Sequence, residues 1–274
     1  MTATAEERGT GRRGARGKTA LVTGASGGIG YELARLFARD GYDLVVVARG
    51  EEKLAQLARD FGERFGVSVK VVAQDLAEPA APGEVFAELQ REALPIDVLV
   101  NNAGYATYGL FWEIDLRTEL QMIQVNVAAL THLTKLFLPG MLERGGGKIL
   151  NLASTAAFQP GPLMAAYYAT KAYILSLSEA LANELRGTGV TVTALCPGPT
   201  RSGFQERAGM EGSRLVRGEI MDARTVALAG YRGLMRNKTV VIPGWGNQLL
   251  ALAPRLTPRD LVTRFVRRAQ ERVG

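Results

Sequence analysis

Tyr167 and Lys171 stand four residues apart in the stretch "AAYYATKAY". On a helix that offset puts a phenol and an ammonium on one face, a turn apart. A phenol beside a cation can give or take a proton at a reacting oxygen, the work of a general acid or base. Tyr168 and Tyr173 have no lysine at that offset. With eight tyrosines in the chain, about 0.2 such pairs arise by chance, so the spacing needs company. Ser154 supplies some: it precedes Tyr167 by thirteen residues and follows the apolar run "KILNLAS". A hydroxyl at that place can donate a hydrogen bond to a developing oxyanion. Asn126, in "IQVNVAAL", adds an amide from the preceding helical segment. Each also has a plain structural reading: a packed aromatic, a solvated lysine, a strand-end cap and a helix-kinking amide.

Other chemistries lack their residues. His132 is the single histidine and Cys196 the single cysteine. A histidine-dependent triad, an internal disulfide and a metal site built on cysteine are therefore not expected. Cys196, ending an apolar run, reads as a small core residue.

A second constellation precedes the first. "TGASGGIG", residues 23–30, joins an apolar run to a helix-period segment. Gly24, Gly28 and Gly30 make a tight turn that lets backbone N–H groups at a helix start face a pyrophosphate. About twenty residues on, "VVVARG" ends in Ala48 and Arg49. A site for NAD(H) places a carboxylate there to hold the ribose 2′-hydroxyl. A guanidinium instead can fork onto a 2′-phosphate, which points to NADP(H). Ser26 is a second candidate for that phosphate, and Arg49 could instead be a solvated loop residue.

The elements around these residues alternate. "KTALVTG", "YDLVVVA", "VSVKVVAQ", "IDVLVNNAG", "KILNLAS", "VTVTALCPG" and "KTVVIPG" are strand-length apolar runs. Between them lie helix-period segments such as "GIGYELARLFARDG", a long helix over about 118–143, and another over 165–186. Alternation of this kind predicts an α/β fold: one Rossmann-like doubly wound parallel sheet of about seven strands with helices on both faces. Ser154 then falls at the carboxyl edge of the sheet, where such folds bind ligands. Residues 1–17 read as a flexible basic extension, and 18–274 as a single dinucleotide-binding catalytic domain.

Taken in order, TGASGGIG, "NNAG" at 101–104, Asn126, Ser154 and the Tyr167/Lys171 pair resemble the short-chain dehydrogenase/reductase superfamily, over about residues 18–200. The resemblance implies a catalytic set of Asn126, Ser154, Tyr167 and Lys171. Tyr167 would be the acid, and Lys171 would lower its pKa and bind the nicotinamide ribose. Ser154 would bond the substrate oxygen, and Asn126 would hold a water linking Lys171 to solvent. It implies cofactor contacts from Gly24, Ser26, Gly27, Gly28, Ile29 and Gly30 in the loop, and from Arg49, Asp75 and Leu76 beside the adenosine. Asn102, Ala103 and Gly104 would follow, then Tyr167 and Lys171 themselves, and Pro197, Gly198 and Thr200 along the nicotinamide, with a structural part for Asn101. Gly27 stands where many members carry serine. The expected activity is NADP(H)-dependent hydride transfer between nicotinamide and a carbonyl or secondary alcohol, as in carbonyl reductases. A cytoplasmic homodimer or homotetramer is the expected setting. A non-catalytic NADP(H) sensor or scaffold is the alternative, since a sensor needs only the glycine loop and Arg49. A sugar epimerase or dehydratase also shares the Tyr-Lys spacing, but the glycine spacing and the short C-terminal region disfavour it.

Substrate choice falls to residues 105–112, 155–165 and 201–221. Tyr105, Tyr108, Phe158 and Met164 suggest an apolar lining for a lipophilic aldehyde, ketone or alcohol. Segment 201–221 reads as a lid, with Phe204 turned inward.

The formal charge of +6 is carried mostly by the ends. Residues 1–17 hold four arginines against two glutamates, and 255–274 hold six arginines against Asp260 and Glu271. A near-neutral body offers no basic face to nucleic acid, and no nucleic-acid partner is expected. No apolar run approaches the ~20 residues that span a bilayer. The tail forms an amphipathic helix with Leu261, Val262, Phe265, Val266 and Ala269 in one stripe, after Thr257 and Pro258. The stripe is expected to pack on the domain or a second subunit, with peripheral contact to an anionic membrane as the less favoured reading.

Overall fold

Runs of valine, leucine and alanine form the central sheet of the computed structural model, which describes residues 15–203 and 220–271. Six strands carry it: β1 (Thr19–Thr23), β2 (Asp43–Ala48), β3 (Val69–Ala73), β4 (Val98–Asn101), β5 (Gly147–Leu152) and β6 (Val190–Leu195). Two short strands, β7 (Thr200–Arg201) and β8 (Met221–Asp222), pair with each other in a separate ribbon. A ninth, β9 (Val240–Val241), completes the main sheet in the order β3-β2-β1-β4-β5-β6-β9. All its pairs are parallel, as the alternation of elements predicts.

Both faces of the sheet are covered, which is why its strands read as unbroken apolar runs. Ala20, Val22, Leu44, Val46, Val98 and Val100 point into one layer, with Leu33 and Phe37 of helix α1 (Gly28–Arg39) and Leu54 and Phe61 of α2 (Glu51–Phe65). Leu21, Val45, Val47, Leu99 and Ile149 point into the other, with Val85 and Leu89 of α3 (Ala81–Arg91). The period-2 alternation of side chains places successive residues of one strand in opposite layers.

The second layer also holds one continuous helical stretch, α4 (Leu116–Ile123) and α5 (Leu130–Glu143) joined by a π-helical turn over Gln124–Ala129. At 28 residues it is long and apolar enough to cross a bilayer, a length the reading of single apolar runs missed. Its buried face, including Met122, Val125, Leu133 and Met141, is committed to the core. Helix α6 (Ala165–Glu184) follows β5, and α7 (Ala223–Met235) closes the first layer against α1.

Two boundaries differ from expectation, and a third segment lies mostly outside the described residues. Ala15 is buried in the first layer and its carbonyl accepts a hydrogen bond from Lys18 N, so the chain packs before residue 18. Residues 1–14 lie outside the described residues. The tail holds two helices, α8 (Trp245–Leu256) and α9 (Arg259–Gln270), because Pro258 starts a new helix after the extended Thr257. The expected lid is described only at its ends, where Thr200 pairs with Met221 and Arg201 with Asp222. Phe204 lies outside the described residues.

Candidate active site

Strand order reverses between β1 and β4, and the loops leaving those two strands part there. In doubly wound sheets this crevice at the carboxyl ends is where ligands bind. The glycine loop leaves β1 on one side, and Asn102, Ala103 and Gly104 leave β4 on the other. Thr23 ties the two together: its hydroxyl accepts from the N–H groups of Asn102 and Ala103, both at 3.0 Å. The Asn102 amide donates to the carbonyls of Thr23 (2.9 Å) and Gly24 (3.2 Å). Asn102 is thus a brace for the phosphate loop rather than a free ligand-binding amide.

The loop has the form that a pyrophosphate cradle requires. Gly28 opens α1 with φ +57°, a left-handed conformation that favours glycine. A Cβ on Gly30 would fall 2.3 Å from the Gly24 carbonyl oxygen, so no side chain fits at the helix start. Ser26 and Gly27 are exposed and Ile29 is buried in the core, which leaves Ile29 only its backbone to offer. A Cβ on Gly27 would meet nothing, and its φ of 177° is ordinary extended backbone. Serine is therefore sterically acceptable at this departure from the family pattern.

Arg49 and Asp75 lie at the ends of β2 and β3, with Arg49 Nη1 3.8 Å from Asp75 Oδ2. The guanidinium is exposed and able to reach an anion at that edge. Asp75 also accepts from Ala77 N at 3.0 Å and so closes its own turn, while the Leu76 side chain is in the core. The edge thus offers an exposed cation with a carboxylate beside it, where the adenosine of a nicotinamide dinucleotide would lie.

Across the crevice the four expected catalytic residues come together. Ser154 leaves β5 and caps a 3₁₀ turn over Thr155–Phe158, its Oγ accepting from Ala156 N at 3.1 Å and donating to Pro197 O at 3.3 Å. The same hydroxyl is hydrogen-bonded to Tyr167. Lys171 Nζ donates to Leu152 O at 2.7 Å and lies 5.6 Å from the centre of the Tyr167 ring. Asn126 sits in the π turn, where its Nδ2 reaches Tyr105 O (3.0 Å) and Thr170 Oγ1 (3.1 Å) and its Oδ1 accepts from Tyr105 N (3.2 Å). The wider π turn sets this amide beside Gly104, whose missing Cβ would lie 2.9 Å from Asn126 Oδ1 and 3.6 Å from Lys171 Nζ. A side chain at Gly104 would wedge these two groups apart.

Electrostatically the site departs from the expected lowering of the Tyr167 pKa. Burial raises the Tyr167 pKa above its ordinary value, against a smaller lowering by the Ser154 hydrogen bond. Burial also lowers Lys171 to about 8. The ammonium is held by the Leu152 carbonyl beside the tyrosine ring, and burial is the dominant influence on the phenol. Cys196 is fully buried with its thiol pushed up to about 12, as a packing residue should be.

Pro197 and Gly198 lie beside Ser154, since Thr155 N donates to Pro197 O at 2.9 Å. Thr200 is buried, with its hydroxyl donating to Gly198 O at 2.9 Å. Asn247 of α8 presses on Gly198 so closely that a Cβ there would fall 2.4 Å from Asn247 Oδ1. Ser202 lies over Gly28, where a Cβ would fall 2.9 Å from Ser202 Cβ. Neither contact had a local sequence signal.

The wall next to Tyr167 is apolar: Ala106, Met122, Met164 and Tyr168, with Tyr105 and Tyr108 packed against them and Val262 and Val266 of α9 behind. Phe158 packs instead with the neighbouring cluster around Ile174. Gln270, at the end of α9, is wholly buried; its Nε2 donates to Tyr168 Oη and its carbonyl accepts from Tyr108 Oη, both at 2.5 Å. Burial raises Tyr168 to about 12, against a smaller lowering by Gln270. A groove of about 580 Å³ runs between α6 and the α8–α9 junction, lined in part by Phe158, Ala165, Ala169, Pro254 and Arg259. It borders Tyr168 but none of the four converging residues, so it is separate from the chemistry. Among the described residues no cluster of three or more metal-ligating groups occurs.

The family model described as short chain dehydrogenase matches residues 18–211. A short-chain dehydrogenase from Sphingobium yanoikuyae solved in complex with NADPH is 36% identical; the alignment covers 93% of this chain and 98% of that one, with a TM-score of 0.79. A short chain dehydrogenase of Pseudocercospora fijiensis is 38% identical over 68% of this chain and 61% of its own length. The very-long-chain 3-oxoacyl-CoA reductase of Anas platyrhynchos is 36% identical over 66% of this chain and 59% of its own. The chain thus spans less than two thirds of the length of these last two relatives.

Proposed function

The chain belongs to the short-chain dehydrogenase family of oxidoreductases, and we propose that within it the protein is an NADPH-dependent reductase of lipophilic ketones or aldehydes. The observation that carries this reading is the convergence of the buried Tyr167 with Ser154, Lys171 and Asn126 at the carboxyl edge of the sheet. Nicotinamide, when bound, supplies the hydride. The protein's own part is to receive the charge that this leaves on the carbonyl oxygen. Tyr167 gives that oxygen its proton from Oη, which is hydrogen-bonded to the Ser154 hydroxyl. Ser154 Oγ turns to the same oxygen as a hydrogen-bond donor. Lys171 holds positive charge one helical turn below, and Asn126 fixes the Tyr105 backbone next to Gly104.

Arg49 supports the choice of NADPH, because nothing but Asp75 faces its guanidinium among the described ion pairs. A lipophilic substrate is supported by the wall of Ala106, Met122, Met164 and Tyr168. The name of the Anas platyrhynchos relative adds long acyl chains bearing a 3-oxo group to the candidates. The test is NADPH oxidation across a panel of ketones, aldehydes and 3-oxoacyl thioesters, with Tyr167→Phe alongside. The variant should bind NADPH and lose turnover by about 10²–10⁴, the usual worth of a positioned acid. Full activity in Tyr167→Phe would refute the assignment, and a wild type inert to the whole panel would favour a cofactor-binding role without catalysis.

A further inference from the structure

Helix α8 is apolar and almost entirely uncovered. Among its twelve residues only Ala251 is buried, and Trp245, Leu249, Leu250, Leu252 and Leu256 are all exposed. Four of these follow at i, i+4, i+7 and i+11, and so fall within an arc of about 60° at 100° per residue. Trp245 is 79% exposed and Leu256 83%. The sequence over Trp245–Leu256 contains no acidic residue, and Arg255 is its one charge.

Helix α9 divides its stripe in two. Val262, Val266 and Gln270 face the domain and are buried. Leu261 and Phe265 face outward, Phe265 at 68% exposure. Arg264 and Arg268 share with them an arc of about 100°. Arg267 is paired with Glu271 at 3.4 Å, whereas Arg255, Arg259, Arg264 and Arg268 have no carboxylate partner among the described ion pairs. Packing on the domain therefore accounts for only one face of the tail. What remains is a contiguous stretch of chain presenting tryptophan, leucine and phenylalanine interleaved with unneutralised arginine. The near-neutral body of the protein makes this charge local.

We propose that the outward faces of α8 and α9 form a docking surface for an anionic lipid bilayer. Trp245, Leu249, Leu252, Leu256, Leu261 and Phe265 enter the interfacial region, and the arginines meet phosphate headgroups. Charge complementarity selects this occupant. A second copy of the chain would bring the same cations against these, whereas an anionic surface neutralises them. The surface is independent of the hydride-transfer reading, because no residue of the Ser154, Tyr167, Lys171 and Asn126 set belongs to it.

The experiment is flotation of the full chain with phosphatidylcholine vesicles, with or without about 30% phosphatidylglycerol, at ~0.1 M and ~0.5 M salt. The protein should float with the anionic vesicles only, and less at high salt. Trp245→Ser/Leu249→Ser/Leu256→Ser should lower the bound fraction at least about tenfold. Arg264→Gln/Arg268→Gln should lower it about fivefold per arginine at low salt. Leu116→Ser/Leu120→Ser, which changes exposed leucines on α4, should float like the wild type. NADPH binding by each variant reports that it is folded. A wild type that stays unbound at low salt overturns the proposal, as does a triple serine variant that floats undiminished. A wild-type dimer that the triple variant converts to monomer, with neither floating, would assign the surface to a second copy instead.

Discussion

The clamp between Gln270 and Tyr168 can be tested by a double-mutant cycle. Tyr168→Phe removes the hydroxyl that accepts from Gln270 Nε2 and leaves a wholly buried amide without that partner. Stranding a buried donor costs about 1–3 kcal/mol. The amide is already poorly served, since Gln270 Oε1 is buried with no hydrogen-bond partner among the described residues. Gln270→Leu alone strands the Tyr168 hydroxyl at a similar cost of about 1–3 kcal/mol. The double variant removes both polar groups and should be close to the wild type, so the two changes are coupled by roughly the sum of the two single costs. Urea unfolding followed at a constant slope measures all four proteins, and each single variant should also melt about 2–4 °C lower per kcal/mol. The functional consequence should be selective. Tyr168 adjoins Tyr167 in the apolar wall, so the single variants should raise KM for the ketone while leaving NADPH affinity unchanged. If the single costs simply add in the double variant, the clamp does not exist as described.

Lys171 should impose a pH limit on the free enzyme. Its folded pKa of about 8 is below the ordinary 10.5, so kcat/KM should fall as pH rises through about 8 if the ammonium is required. Stability should move the other way: the unfolded chain holds the Lys171 proton more tightly, so ΔG of unfolding rises between pH 8 and 10.5. A flat profile across that window in Lys171→Met, against a sloping one in the wild type, checks the assignment. Arg49→Ala should weaken NADPH more than NADH in fluorescence titration, and equal loss would remove the 2′-phosphate role. Gly27→Ser should be tolerated or slightly stabilising, by about 0.3 kcal/mol as a helix cap. Gly30→Ala, which drives a Cβ onto the Gly24 carbonyl, should abolish NADPH binding or folding.

The parts of the site that were legible share a physical origin. The phosphate loop is a contiguous eight-residue solution to one backbone problem, so its glycines appear together in the sequence. Tyr167 and Lys171 are one helical turn apart, and Ser154 is delivered by the strand that precedes their helix. Parallel topology does the rest: every strand presents its carboxyl end to one edge, so residues that follow strands meet there whatever their separation in sequence. The π turn around Asn126 lay one step further. An amide in the helix was visible, but the extra residue that widens the turn leaves no pattern in composition or period. The expected lowering of the Tyr167 pKa differs for a related reason: spacing shows that a lysine is near a tyrosine, but not how deeply the phenol is buried.

The C-terminal region was hidden by distance and by polarity. Gln270 meets Tyr168 across 102 residues and Tyr108 across 162, and no periodic signal spans such gaps. Hydrophobic patterning also has no place for a glutamine at a core position, although an amide that donates to one tyrosine while its backbone accepts from another is well suited to it. Patterning over-counted in the other direction as well. Leu261 and Val262 are neighbours in one apparent stripe, yet a 100° step separates them on the helix, and the domain covers only the Val262 side. A stripe wider than the contact it makes has two uses: the inner edge shapes the wall beside Tyr167, and the outer edge is left for another surface. The same helix therefore links the pocket wall to whatever covers Leu261 and Phe265.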